Sequence, residues 1–512
     1  METPVILDDN YLWQYYNEFN PLYLNYICTL TGHYPISIES GFKYCELGCG
    51  VGVTLNGLAE LFPKGQFLGI DNNENYIAGA SALANGVGCS NLDFKCLNFN
   101  RLSTAELPDF DFIILNDIYS WIDKDARQHV QDFIVNHLKD DGILYLNYEA
   151  MPGSSVITPL RDIISFHTSG MASDNLIKAQ SGLDYLDFMQ SNKAGYFTEN
   201  IAADQFFNDI RTKDINYVAN RILSNSFQPY FFHQIVQEMG KIGLSFSGSA
   251  ICHLNFIDLA VPLEFQAFLK GVATREQFET HGDLIRNQRF RKDIFIKSNK
   301  TMDEQEQIEI LSKTIFGTTC LEEGFELMAV FGDVELSYNN DTFKHLISVL
   351  SDTPKSPVSL LADEQLKDFP LEVIIDAMKF LVAGGQILPF VRAFEDKAEL
   401  DLDSDRYSIS TNSNIEILKN RLFKQDKITL LAPNAGIGLQ VTMVDALFTL
   451  CTAEARRGEV LDWVMQRLIE ANQELLTDGT TDTDTIAVDF KKFRKNCLPN
   501  LLRLGILEPV AN

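Results

Sequence analysis

Two carboxylates and three glycines toward the N-terminal end have the types and spacing to hold a charged nucleoside. Glu46 stands two residues ahead of Gly48, glycine recurs at Gly50 and Gly52, and Asp71 closes the set. Glycines at alternate positions let the backbone approach a ligand where any Cβ would block it. Glu46 is placed to take an ammonium, and Asp71 can accept both hydroxyls of a ribose. A second group of candidates follows at Asn116-Asp117-Ile118-Tyr119-Ser120-Trp121 and at Tyr148-Glu149. Asp117 can accept a proton or a hydrogen bond from an amine, whose pKa falls on desolvation. Tyr119 and Trp121 can wall an alkyl-ammonium through cation–π contact, with Tyr148 and Glu149 as a second pair. Trp121 as a core aromatic and Asp117 as a helix cap are the structural alternatives. The chemistry that suits both groups is transfer from a nucleoside donor to an amine.

The elements that must position these residues alternate. Phe42-Lys43-Tyr44-Cys45-Glu46-Leu47 reads as a strand, 54–62 as a helix whose N-terminal amides face the glycine turn, and 66–71 as a second strand ending in Asp71. Helices over 75–85 and 123–138 and strands over 92–97, 110–115 and 142–148 continue the pattern, which predicts a doubly wound parallel sheet. Ligands bind such sheets beyond the carboxyl ends of the strands, where both groups lie. Residues 10–34 carry a helical stripe from Trp13 to Leu30, read as one or two helices over the sheet or as a lid using Tyr11, Tyr15 or Tyr16.

A dinucleotide site would want glycine or alanine where Val53 stands. Acid-x-Gly-x-Gly-x-Gly, with an Asp after the next strand, resembles instead motifs I and II of class I S-adenosylmethionine (SAM) methyltransferases. That resemblance implies SAM as cofactor, held by Glu46, Gly48, Cys49, Gly50, Gly52, Asp71, Asn72 and Asn116. Asn98 and Phe99, past the third strand, would meet the adenine. Asn116-Asp117-Ile118-Tyr119 occupies motif IV but lacks the two prolines of amide and adenine methylases. The catalytic candidates are therefore Asp117, Tyr119, Trp121, Tyr148 and Glu149.

Composition narrows the partners. A formal charge of −28 argues against nucleic acid, whose phosphates need clustered Lys and Arg. Nine cysteines without a CxxC pair read as reduced thiols of a cytoplasmic protein. Eight histidines without HxH or HExxH spacing predict no metal site. The acidic start lacks a signal-peptide pattern, and no apolar run reaches the roughly 18 residues of a membrane span, so no membrane insertion is expected.

The remaining chain predicts an α/β fold with additions. Residues 1–155 would form the first part of a seven-stranded class I methyltransferase sheet, and 156–228 a helical insertion. Residues 229–299 would complete the sheet with a helix over 230–241 and strands over 243–248 and 289–297. A winged-helix-like domain over 300–395 and a helical domain over 396–512 would follow, the latter with helices over 441–454, 459–476 and 489–504 and a polar loop over 477–485.

Tyr-Ser-Trp at 119–121, Met151-Pro152-Gly153, Gln228-Pro229, Gly248-Ser249-Ala250 and Arg289-Phe290-Arg291-Lys292-Asp293 extend the likeness. Together with the glycine motif they resemble the bacterial methyltransferases with a regulatory domain, the family that includes the rickettsial protein-lysine methyltransferases. The resemblance implies a core interrupted by a dimer-forming segment, and further domains that select a protein substrate. Four places depart from the family: Asn116-Asp117 replaces His-Gly, Glu149 replaces a common Asn, Asn220-Arg221-Ile222 replaces His-Glu-Tyr, and Phe227 replaces a Trp before Gln228-Pro229. The expected activity is methylation of a protein side chain, lysine first. The alternatives are a small-molecule N- or O-methyltransferase and an inactive SAM-binding regulator.

Overall fold

Five of the six residues from Phe42 to Leu47, all but Lys43, are buried and begin the sheet around which the chain folds. The computed structural model describes residues 12–224, 226–298, 300–394, 400–471 and 483–510. After helix α1 (Pro21–Leu30) the order is β1 (Phe42–Leu47), α2 (Val53–Leu61), β2 (Gly65–Asp71), α3 (Glu74–Val87), β3 (Leu92–Cys96), β4 (Phe110–Leu115), α4 (Lys124–His137) and β5 (Leu138–Glu149). Five helices follow without a strand: α5 (Ile157–Thr168), α6 (Asn175–Ser191), α7 (Gly195–Glu199), α8 (Ile201–Ile210) and α9 (Ile215–Ile222). They have an apolar centre of their own, built on Leu160, Leu183, Phe207 and Val218. The sheet then resumes through α10 (Phe232–Lys241), β6 (Ser245–Ser249), α11 (Ile257–Ala260), α12 (Leu263–Lys270), α13 (Arg275–Arg286) and β7 (Phe290–Ile296).

The strands lie in the order β3-β2-β1-β4-β5-β7-β6. Strands β1 to β5 run parallel, and β7 is antiparallel to both neighbours. The sequence-based strands therefore sit in a doubly wound sheet of class I methyltransferase type. Successive residues of a strand point to opposite faces. Tyr44, Phe67, Phe112 and Tyr145 pack with α1 and α2, while Cys45, Leu68, Ile113 and Leu144 pack with α4 and α10. Both faces are covered, which is why these strands read as apolar runs.

The N-terminal stripe is less helical than its spacing suggests. Only α1 is an α-helix: Asn20 caps it through the amide of Leu22, and Pro21 takes the first helical position, where no N–H is needed. Before it, 13–16 run without helix into a 3-10 turn, Asn17–Phe19.

Beyond β7 one arrangement occurs twice. The first copy, after α14 (Glu304–Lys313), has β8 (Phe316–Thr318), a hairpin β9 (Met328–Phe331) and β10 (Val334–Ser337), then α15 (Asp341–Asp352), α16 (Pro357–Leu360), α17 (Leu371–Ala383) and β11 (Ile387–Pro389). The second has β12 (Tyr407–Ile409), α18 (Asn412–Arg421), a hairpin β13 (Lys427–Ala432) and β14 (Ile437–Thr442), then α19 (Met443–Glu454), α20 (Val460–Glu470), α21 (Thr483–Lys492), α22 (Leu498–Arg503) and β15 (Leu507–Pro509). In each copy the last strand pairs antiparallel with the first. The last hundred residues are thus not helical throughout. The expected helix at 441 starts at Met443, because Val441 and Thr442 end β14. Most of the expected loop at 477–485 lies outside the described residues, and Thr483 already opens α21.

Candidate active site

The C-terminal ends of β1, β2 and β4 open into a cleft of about 270 Å³ lined by Glu46, Gly48, Cys49, Gly50, Asp71 and Asn116, among others. The turn after β1 is pinned to β2, since the amides of Gly48 and Cys49 both donate to the Ile70 carbonyl. Gly48 has φ +75°, and a Cβ there would collide with the Ile118 side chain. Asp71 is fixed by two backbone donors: Gly50 N–H to Oδ2 at 3.0 Å and Asn73 N–H to Oδ1 at 2.9 Å. Burial raises the pKa of Asp71, and those amides partly offset the rise.

Glu46 is 6% exposed, and its Oε2 has no hydrogen-bond partner. Burial first, then the charge of Asp71, pushes its pKa up to about 8. Glu46 lines the cleft, and a buried carboxylate with an unpartnered oxygen is costly unless a cation comes to it. The cleft is therefore incomplete at the place where an ammonium fits.

The segment before α1 alternates between two neighbours. Leu12, Gln14 and Tyr16 line the cleft. Trp13 lies under the Arg421 guanidinium of α18, and Tyr15 packs on Gly438 of β14. Asn17 exchanges two hydrogen bonds with the backbone of Gly438, both 2.8 Å. Burial, then Asp117, raises the pKa of the Tyr16 hydroxyl. Of the lid candidates, Tyr16 faces the cleft, Tyr15 faces away from its lining, and Tyr11 lies outside the described residues.

The far wall comes from α9, whose Tyr217, Asn220 and Arg221 line the cleft opposite Asp117, Ile118 and Trp121. Asp117 has φ +60°, a left-handed conformation that Asp tolerates better than most residues, and its carboxylate pairs with Arg221. Arg221 Nη1 also donates to Glu149 Oε1 at 3.2 Å, and the guanidinium lies 4.3 Å from the Trp121 ring centre and 5.2 Å from that of Tyr217. Burial works against the Arg221 charge, but Asp117, Tyr217 and Glu149 more than restore it and raise its pKa. Burial raises Glu149 to about 7 despite Arg221 and a 2.6 Å hydrogen bond from Ser154 Oγ. Arg161 Nε holds the Arg221 carbonyl at 3.0 Å, which fixes the end of α9.

Several expected site residues lie elsewhere. Tyr119 is fully buried, donating to Glu238 Oε2 at 2.6 Å and accepting from Gln131. Tyr148 is buried on the core side of β5 and donates to Asp293 Oδ2 at 2.7 Å, beside Arg291. Neither lines the cleft. Asn98 is exposed and caps a 3-10 turn, while Phe99 is buried against α4 in the core. Asn72 is exposed, and Gly52 serves as the left-handed N-cap of α2. Arg221 and Tyr217 were not among the expected site residues, and the departure at 220–222 was the one sequence sign of them; of the segment 12–16 only the lid candidates Tyr15 and Tyr16 were singled out.

The comparisons agree with this geometry. Residues 38–168 match a family model described as a methyltransferase domain, and 214–297 match a predicted methyltransferase regulatory domain. The chain carries a methyltransferase domain of class I fold. Along 98% of both chains the methyltransferase is 26% identical to an uncharacterized protein of Synechocystis. Over 131 residues it is 34% identical to a malonyl-[acyl-carrier protein] O-methyltransferase of Bacillus anthracis, which covers 26% of this chain and 45% of the relative. Its fold is similar to that of PKMT2 from Rickettsia typhi in complex with AdoHcy: TM-score 0.69, 19% identity, covering 94% of this chain and 98% of that one.

Methyltransferases of this class take the methyl group from SAM, and the cleft fits that cofactor on its own chemistry. The incompletely paired carboxylate of Glu46 suits the amino-acid ammonium, and the fixed carboxylate of Asp71 suits the ribose. The glycine turn leaves room between them. Among the described residues no group of three or more His, Cys, Asp and Glu could hold a metal ion, and no helix is long and apolar enough to cross a membrane.

Proposed function

We propose that the methyltransferase methylates the side-chain amine of lysine on a protein substrate. The observation that carries this reading is the wall of the cleft at Arg221, where Asp117 and the Trp121 face, with Glu149 buried behind them, already hold a cationic side chain. When bound, SAM supplies a methyl carbon on a sulfonium, open to in-line displacement. Glu46 and Asp71 hold the cofactor's two polar ends. Trp121 and Tyr217 flank the acceptor chain, and its ammonium must lose a proton before the nitrogen lone pair is free. The amine nitrogen gains the methyl group and gives its proton to Glu149 Oε1, a carboxylate whose pKa of about 7 suits a base at neutral pH. The tandem modules contact the protein substrate, and the insertion joins two copies of the chain, a role supported by its exposed Phe166, Phe188 and Ile201.

Incubation of the purified protein with methyl-labelled SAM and a cell lysate tests the reading. It expects label in protein bands that survives mild base and is recovered as methyllysine. Label released by base as methanol would mean carboxyl esterification instead. Label confined to small molecules would mean a small-molecule enzyme, and no label a regulator.

A further inference from the structure

The group that holds Arg221 is built like a receptor for a ligand rather than like a surface ion pair. Its guanidinium meets carboxylates from the ends of two different strands and aromatic rings from β4's loop and α9. One carboxylate, Glu149, is 2% exposed. In the same cleft Glu46, more than nine-tenths buried, keeps an oxygen with no partner. The Trp121 indole N–H is also without a partner. A cation on a flexible stem, two acids and an aromatic face are the elements by which proteins recognise alkyl-ammonium groups.

We infer that this box is the subsite for the substrate's alkyl-ammonium group, and that Arg221 is an internal stand-in which the substrate displaces. The inference rests on the lysine reading above and adds to it what fills the site between turnovers. A stand-in resolves an electrostatic difficulty. An empty box would leave Glu149 buried without a cation, which is strongly unfavourable. Exchange of one cation for another keeps both acids paired throughout. Arg221 is suited to the exchange because it sits in the last turn of α9 and carries its charge on a long side chain. Its backbone need not move, since Arg161 fixes the carbonyl independently of the guanidinium. Displacement would leave Glu149 beside the incoming ammonium, where it can take the proton that methylation releases.

The test uses n-butylammonium chloride as a probe of the lysine side chain, with Arg221→Ala and Arg221→Met in the full chain. Binding is read from indole fluorescence and from the probe-dependent rise in Tm. The inference expects both variants to bind butylammonium at least about tenfold more tightly than wild type. It also expects n-butanol not to bind, and Trp121→Leu added to Arg221→Ala to abolish the gain. Equal or weaker binding in the variants overturns it. So does a loss of AdoHcy affinity without a gain in butylammonium affinity, which would make Arg221 a clamp for the cofactor carboxylate. Failure of both variants to fold, read by circular dichroism, would make Arg221 a strut and overturn it too. The two readings fail separately. Butylammonium binding to Arg221→Ala with no labelled lysine in the lysate keeps the subsite and removes the lysine reading; labelled lysine without a gain in binding does the reverse.

Discussion

At the scale of single residues, the cleft runs on two carboxylates whose burial has made them uncomfortable. Glu46 in the folded chain has a pKa near 8, against an ordinary 4.5. A carboxyl raised on folding binds more protons in the native state, so its contribution to stability falls as pH rises between those two values. The cofactor's ammonium favours the ionised form and removes that penalty. The rise in Tm given by AdoHcy should therefore grow from pH 6 to pH 7.5, and Glu46→Gln should flatten the trend; a thermal-shift series over pH measures both. Glu149 makes a kinetic prediction. With its pKa at about 7, turnover should fall on the acid side of neutrality as the carboxyl takes up a proton. In Glu149→Gln kcat should drop by roughly a hundredfold and the acid limb of the pH–rate profile should vanish.

Helices and strands were legible to different degrees. The glycine turn, the acids at its two ends and the seven strands could be read because Gly punctuation and apolar runs are local signals. Tyr148 could not be placed that way. Adjacent strand residues face opposite ways, and only the packing of β7, with Asp293, shows that Tyr148 is turned from Glu149 into the core. Arg221 was illegible for a related reason: its partner Asp117 is 104 residues away, and no periodicity links them. The hairpin β13–β14 was hidden by helix-like neighbours, although Gly436 at φ +77° marks its turn. The same hairpin holds the segment 12–17, whose alternate residues face the cofactor cleft. Asn17→Ala breaks both bonds to Gly438 and touches no cofactor-facing atom. It should nevertheless weaken AdoHcy binding several-fold, about 1 kcal/mol, in a calorimetric titration.

Taken whole, the chain places two similar modules behind a methyltransferase domain and ties them together. Arg503 of the second module is 2% exposed, and its Nη2 donates to the Thr318 carbonyl of the first at 2.8 Å. Asn500 Nδ2 reaches the Thr319 carbonyl at 2.7 Å. Arg503→Met should leave Thr318's oxygen buried and unpaired and destabilise the protein by about 1–3 kcal/mol, read as a lowered denaturation midpoint. Sequence composition conveyed none of this tie, because two modules of similar element order share few identical residues apart from their Gly-Ile-Leu-Pro-like ends at 385–389 and 505–509.

The most direct test of the account is a calorimetric titration of the full chain with AdoHcy, repeated with Asp71→Ala. The account predicts one saturable site per chain of micromolar affinity, lost in the variant. Absence of binding to the wild-type chain, or undiminished binding to Asp71→Ala, would contradict it.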